Sequence, residues 1–292
     1  MKWFKEYISS LKNVHAEEFL DILLFRPIAF VIVKSLYSLP ITPNQYSLMA
    51  LLSGCLASFY FYHMQFAYGA IAFFMFAVLD CCDGMQARMK KNGSEFGRFV
   101  DGLVDYVTNI IVYTTLAIGI GKAMPEVFGV SSVWLMVFAG LSKALHSITY
   151  DHYLMEYLSY ANGEEGFTEK ELIMIKSKLE EAQKAPKKDY LRILILKIYL
   201  GFTTLQSKDS KKNVKVKTKY NAKEYAHKNL LTLKMWSLIG PAPHILVLVV
   251  AFLFMRPEIL FAYAIGFGNL WMLLMFIIQK KVNDDTELVR IA

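Results

Sequence analysis

The sequence predicts an all-α, polytopic membrane protein: six transmembrane helices, an N-terminal amphipathic helix in the membrane interface, and a helical cytoplasmic insertion. Composition is the first reason, since 55% of the 292 residues are hydrophobic and the mean hydropathy is +0.35, above that of an ordinary soluble domain. The second is the set of apolar stretches at 48–64, 66–79, 103–120, 133–150, 236–255 and 257–279. A span needs about 20 residues, and the shorter stretches reach that length when polar residues at their ends join the helix. The third is the placing of basic residues. With the N-terminus inside, short inner segments hold Lys2, Lys5, Lys12, Arg26, Lys34, Arg88, Lys90, Lys91, Arg98, Lys280, Lys281 and Arg290, and the outer loops hold Lys122 and Arg256. That bias puts both termini in the cytoplasm.

Residues 1–39 form the N-terminal interfacial segment. Glu17, Glu18, Asp21 and Arg26 interrupt it, and no apolar run ending in a small-residue cleavage site is present, so it is not read as a signal peptide. Phe19, Ile22, Leu23, Phe30, Val33 and Leu36 recur at roughly helical spacing, as a helix lying in the interface or packed on the spans requires. The prolines of Leu39-Pro-Ile-Thr-Pro-Asn44 end that helix, and Thr42 or Asn44 caps the next.

Residues 40–156 hold the first four spans, with a tight turn at 63–66 making a hairpin of the first two. Residues 157–234 are a Lys- and Glu-rich insertion assigned to the cytoplasm. In it, 167–183 reads as a charged helix, 190–205 as a segment apolar enough to lie on the bilayer, and 208–219 as a basic run. Residues 235–280 hold the last two spans, a second hairpin turning near Pro257, and 281–292 form a cytoplasmic tail. The net charge of +7 follows from this topology and is not read as a nucleic-acid surface. Cys55, Cys81 and Cys82 suit neither a disulfide nor a zinc site.

The chemistry lies between residues 80 and 105. Asp80, Asp83, Gly84 and Ala87 fall at i, i+3, i+4 and i+7 on one face of the second span, and Gly97, Asp101 and Asp105 follow at i+4 steps on the third. A short inner turn lets the two faces meet. Four converging carboxylates at a membrane helix end repel one another and need cations. All-oxygen ligation favours one or two hard divalent ions such as Mg²⁺, with Mn²⁺ or Ca²⁺ as alternatives. Gly84, Ala87 and Gly97 allow close helix packing or close approach of a flat ligand. Arg88 offers a planar fork for phosphate oxygens, or acts as a topological anchor.

This stretch resembles the signature of the CDP-alcohol phosphotransferase family, D-x2-D-G-x2-A-R-x8-G-x3-D-x3-D, and matches it at every defining position. The resemblance extends to the six-span layout and the Thr-Pro-Asn entry to the first span. It implies that Asp80, Asp83, Asp101 and Asp105 hold the metal ions. Gly84, Ala87, Arg88 and Gly97 would shape the cytidine and pyrophosphate site, and Asp105 would take the proton of the attacking hydroxyl. It also implies a homodimer and a membrane enzyme of phospholipid synthesis with a cytoplasmic active site. The span number favours CDP-diacylglycerol as donor, with inositol phosphate, inositol, glycerol 3-phosphate and serine open as acceptors. The alternative is a choline- or ethanolamine-type phosphotransferase acting on a lipid alcohol.

Acceptor recognition is assigned to the fourth span, where Lys143, His146 and Tyr150 fall at i, i+3 and i+7; Lys143 points to a phosphorylated polyol, or snorkels to the interface. His244, in Gly-Pro-Ala-Pro-His, is read as a buried, hydrogen-bonded histidine. A cation transporter, the distant alternative, predicts carboxylates spread through the membrane depth rather than gathered at one end.

Overall fold

A computed structural model describes residues 2–11, 17–91, 95–161, scattered positions between 176 and 200, and 218–290. The chain divides into two compact units, Met1–Leu154 with Leu230–Lys280, and Met155–Asn229 with Lys281–Ala292.

The first unit begins with α1 (Lys2–Ser10), a π-helical turn (Asp21–Phe25) and α2 (Arg26–Ser35). The N-terminal segment is therefore at least two helical pieces. Ala29, Phe30 and Val33 are buried in a cluster with Val78, Cys82 and Met85, whereas Phe19 and Leu23 are exposed. Its apolar residues thus point two ways, part of them into the protein.

α3 (Pro43–Tyr62) starts with Pro43 at its first position, where a missing N–H costs nothing. Thr42 is its cap residue, and Gln45 Oε1 accepts the Thr42 N–H at 2.8 Å. After a turn in which Met64 has a left-handed backbone (φ 61°), α4 (Phe66–Lys90) returns along α3. α5 (Glu95–Ala123) packs on α3 as well. The approach is close: a Cβ on Gly119 would sit 2.0 Å from the Phe61 carbonyl oxygen, and one on Gly54 2.2 Å from Thr108 Cγ2. Small residues let the two backbones meet, as at membrane helix crossings generally.

A two-residue hairpin, β1 (Glu126–Val127) with β2 (Val130–Ser131), leads into α6 (Ser132–Ala161). Later come α7 (Ala222–Trp236), a 3₁₀ turn (Ser237–Ile239), α8 (Pro241–Leu253), α9 (Pro257–Phe261), a second π-helical turn (Ala262–Phe267) and α10 (Gly268–Asp284). Pro241 opens α8 and Pro257 opens α9 at N-terminal positions, so both prolines start helices. Buried aromatic and aliphatic side chains of α3, α4, α5, α6, α8 and α9, among them Phe61, Phe73, Leu116, Met136, Phe252 and Leu260, form one core.

The number of spans corrects the sequence reading. Among the described residues four helices are long and apolar enough to cross a membrane, Phe66–Lys90, Val104–Ala123, Ala222–Leu253 and Pro257–Asp284, not six. The two that drop out are the stretches at 48–64 and 133–150. α3 is 20 residues long but includes Asn44, Gln45, Ser47, Ser53 and Ser58. α6 has the length, at 30 residues, but carries Lys143, His146, Asp151 and His152 along its middle and second half. Isolated apolar runs in these helices are diluted once the whole helix is considered.

In the second unit, β3 (Thr218–Tyr220) pairs antiparallel with β4 (Leu288–Arg290). The Tyr160 and Tyr225 rings lie 4.2 Å apart, with Tyr220 5.2 Å from Tyr225. The charged helix expected at 167–183, the segment at 190–205 and the basic run at 208–219 fall largely outside the described residues.

Candidate metal and phosphate site

The helical periods of α4 and α5 bring the carboxylates together. Ligand oxygens of Asp80, Asp83 and Asp101 all lie within 4.8 Å of one another. Asp80 and Asp83 are one turn apart on α4, and Asp101 faces them from α5. Contacts at hydrogen-bond distance link Asp101 to both Asp80 and Asp83, and Asp80 to Asp105. Two carboxylates this close need a shared proton or a cation between them. Three converging oxygen donors, Asp83 buried and Asp80 and Asp101 half-buried, fit a hard divalent ion. Among the described residues, Asp105 stands beside this triad rather than in it, and its Oδ1 is buried without a hydrogen-bond partner.

Ser47 of α3, which sequence pattern did not single out, donates its hydroxyl to Asp83 Oδ2 at 2.6 Å. The Pro43 carbonyl lies farther from that hydroxyl, at 3.3 Å, so the carboxylate takes the proton. A residue that orients a ligand in this way is invisible to helical periodicity, because its role depends on where α3 crosses α4.

A cavity of about 490 Å³ opens over the triad, lined by Asp80, Asp83, Gly84, Ala87, Arg88, Asp101 and Asp105. Gly97 lies on α5, and no side-chain surroundings are described for it. Gly84 makes room for a neighbour: a Cβ there would meet Arg88 Nη1 at 3.3 Å. The arginine lies back over the glycine, its Nε donating to the Ser10 carbonyl at 2.5 Å, while its Nη2 is buried and unpaired.

The same cavity has a wall from the N-terminal segment, made by Glu18, Asp21, Phe25 and Arg26. In the sequence these charges only argue against a signal peptide, and Arg26 alone also enters the topology. Glu18 Oε2 accepts the Ala242 N–H at the start of α8 (3.1 Å), and burial holds its carboxyl well above the usual carboxylate range. Burial also pushes Asp21 up to about 6, with Arg26 opposing the shift and Glu17 adding to it. Arg26 Nη2 pairs with Glu17 Oε2 at 2.7 Å.

Of the residues assigned to the acceptor, Lys143 lines the cavity. Its Nζ donates to Asn109 Oδ1 at 2.5 Å, and Asn109 Nδ2 donates to the Asp105 carbonyl at 2.8 Å. His146 and Tyr150 are not among the lining residues. His146 lies about 60° around α6 from Lys143 and is fully buried, with Nδ1 3.0 Å from His244 Nε2 and Nε2 3.2 Å from Asn269 Oδ1. His244 is buried and hydrogen-bonded, as the sequence implied. Tyr150 is buried too.

Residues 40–163, which include the whole carboxylate motif, match the family model described as CDP-alcohol phosphatidyltransferase. The chain is also similar to an archaetidylinositol phosphate synthase of Pyrococcus horikoshii, 36% identical over 86 residues. That match covers 30% of this chain and 46% of the relative, so the chain spans less than half the relative's length.

Proposed function

We propose that this chain is a member of the CDP-alcohol phosphotransferase family and transfers a phosphatidyl-type group from a CDP-linked lipid to an alcohol, releasing CMP. The observation that carries this reading is the convergence of Asp80, Asp83, Asp101 and Asp105 with Gly84, Ala87 and Arg88 around one cavity. CDP-diacylglycerol is the proposed donor. A polyol phosphate is the proposed acceptor: Lys143 supplies a cation in the cavity wall, and the relative's name contains an inositol phosphate headgroup.

Asp80, Asp83 and Asp101 are the residues that would hold the metal. A bound divalent ion supplies Lewis-acid stabilisation of the charge that develops on the phosphate oxygens and on the leaving CMP. The protein's own groups do the rest. Arg88 presents an unpaired N–H to phosphate oxygens. The acceptor hydroxyl oxygen forms a new bond to the lipid-bearing phosphorus. As it does so, the P–O bond to CMP breaks, CMP keeps that bond pair, and the hydroxyl proton passes to a base. Asp105 is the proposed base, because its Oδ1 is buried at the cavity with no hydrogen bond to give up. No covalent intermediate with the enzyme is needed. The active site and both termini are proposed to be cytoplasmic, and the assembly a homodimer.

The test is CMP release by the full chain in lipid nanodiscs with CDP-diacylglycerol, Mg²⁺ or Mn²⁺, and a panel of glycerol 3-phosphate, inositol 1-phosphate, inositol and serine. Metal-dependent CMP release that Asp80→Ala abolishes is the expected result. Release that is independent of metal, or unchanged in Asp80→Ala, overturns the reading.

A further inference from the structure

Arg26 lies outside the carboxylate motif, yet it lines the same cavity. It is placed there by local geometry. The turn Asp21–Phe25 is π-helical, and the Arg26 N–H bonds to the Asp21 carbonyl five residues back. Residues five apart in an α-helix point about 140° away from each other; the wider π turn brings them nearer to one face, and Asp21 and Arg26 both reach the cavity. π-helical turns gather at functional sites.

The guanidinium of Arg26 is only partly satisfied. Nη2 is held by Glu17 at 2.7 Å. Nε lies 3.9 Å from Asp21 Oδ2, beyond hydrogen-bond range, and is buried without a hydrogen-bond partner among the described residues. Arg88 is in the same condition, anchored through Nε on the Ser10 carbonyl with Nη2 buried and unpaired. The two cations are close enough to repel each other. Two half-buried guanidinium groups border one cavity, each pinned on one side and each with a buried nitrogen unpaired on another; an anion with several oxygens would complete both.

We propose that Arg26 binds a substrate phosphate jointly with Arg88, with Glu17 as the residue that positions it, so that the N-terminal segment forms part of the binding site. This deepens the transferase reading and rests on it for the identity of the ligands. The phosphate is either the donor's diphosphate or the phosphate of the acceptor, and the two sources are separable.

The experiment uses the full chain in nanodiscs with Mg²⁺, comparing wild type, Arg26→Gln, Arg26→Lys and Lys34→Gln. Lys34 is a control on the same helix, paired with Glu6 at 2.7 Å and outside the cavity lining. CDP and inositol 1-phosphate are titrated as probes by calorimetry, and KM is measured for CDP-diacylglycerol and for the acceptor. We expect Arg26→Gln to weaken one probe at least tenfold and raise the matching KM, with the other unchanged. Weaker CDP binding assigns the donor, and weaker inositol 1-phosphate binding the acceptor. Arg26→Lys, which keeps the charge but loses the planar fork, recovers part of the affinity.

If both probes bind Arg26→Gln within twofold of wild type, or Lys34→Gln weakens them as much, the proposal fails. Should Arg26→Gln lose its cooperative thermal transition, Arg26→Lys decides: unchanged affinities and KM values overturn the proposal. A wild type that binds CDP in an Arg26-dependent way but releases no CMP defeats the transferase reading and leaves the phosphate site standing. CMP release with wild-type KM values in Arg26→Gln defeats the site alone. A wild type that binds neither probe defeats both.

Discussion

Ser47→Ala removes one hydroxyl and tests whether α3 tunes the metal site. The lost interaction is a 2.6 Å hydrogen bond to a buried carboxylate, Asp83. A hydrogen bond to a charged partner contributes about 1.5–3 kcal/mol, and removing a partner of a metal-ligating group typically costs about 10–100-fold in metal affinity or activity. Since about 1.4 kcal/mol is a factor of ten, the two ranges agree. The half-saturating Mg²⁺ concentration for CMP release should therefore rise at least tenfold, with maximal turnover at high Mg²⁺ partly restored. Ser53→Ala is the matched control. Ser53 also links α3 to α4, donating to the Ala72 carbonyl at 2.8 Å, but it touches no carboxylate. Its loss should lower the unfolding temperature in nanodiscs without moving the Mg²⁺ dependence. A half-saturation in Ser47→Ala within twofold of wild type, or an equal shift in Ser53→Ala, refutes the reasoning.

Asp105→Asn should lower kcat by roughly 10²–10⁴ if Asp105 is the base, while CDP binding with Mg²⁺ is retained; near-normal turnover removes it from that role. Gly119→Ala and Gly102→Ala should act on stability with opposite sign. Alanine is favoured over glycine in a helix by about 1 kcal/mol, and at Gly102 a new Cβ meets nothing within 4 Å, so the unfolding temperature should hold or rise. At Gly119 the Cβ would sit 2.0 Å from the Phe61 backbone oxygen, and overpacking of about 1–3 kcal/mol wins. Equal shifts in the two variants would discount the α3–α5 crossing. Asp21, half-buried beside Arg26 and Glu17, has its pKa raised by desolvation from 3.8 to about 6. The folded state then binds the proton more tightly than the unfolded one. Its contribution is full below pH 4, declines as pH rises towards 6, and at neutral pH amounts to a loss of about 3 kcal/mol. Asp21→Asn should flatten the fall in unfolding temperature between pH 4 and pH 6. An unaltered pH profile contradicts the assigned burial.

Much of the site was legible because helical periodicity is a local rule. Residues three, four and seven apart share a face whatever surrounds the helix, so spacing alone groups Asp80, Asp83, Gly84 and Ala87 on α4, and Gly97, Asp101 and Asp105 on α5. The same rule misled on α6. It put His146 beside Lys143 on one face, but sixty degrees of rotation was enough to turn the histidine to His244 and Asn269. Hydropathy over short windows likewise found apolar runs in α3 and α6 and counted each as a span, where the whole helices carry too many polar groups.

The sequence alone determined the helical class, the membrane character and the identity of the carboxylate face, because each depends on composition or on residues within one or two turns. Tertiary structure decided what no spacing encodes. Ser47 reaches Asp83 across 36 residues, Glu18 reaches the start of α8 across 224, and Arg88 is anchored on Ser10 across 78. Contacts between helices far apart in the chain depend on crossing points set by packing of the whole core. For that reason the N-terminal wall of the cavity, with Arg26 in it, became visible only in three dimensions.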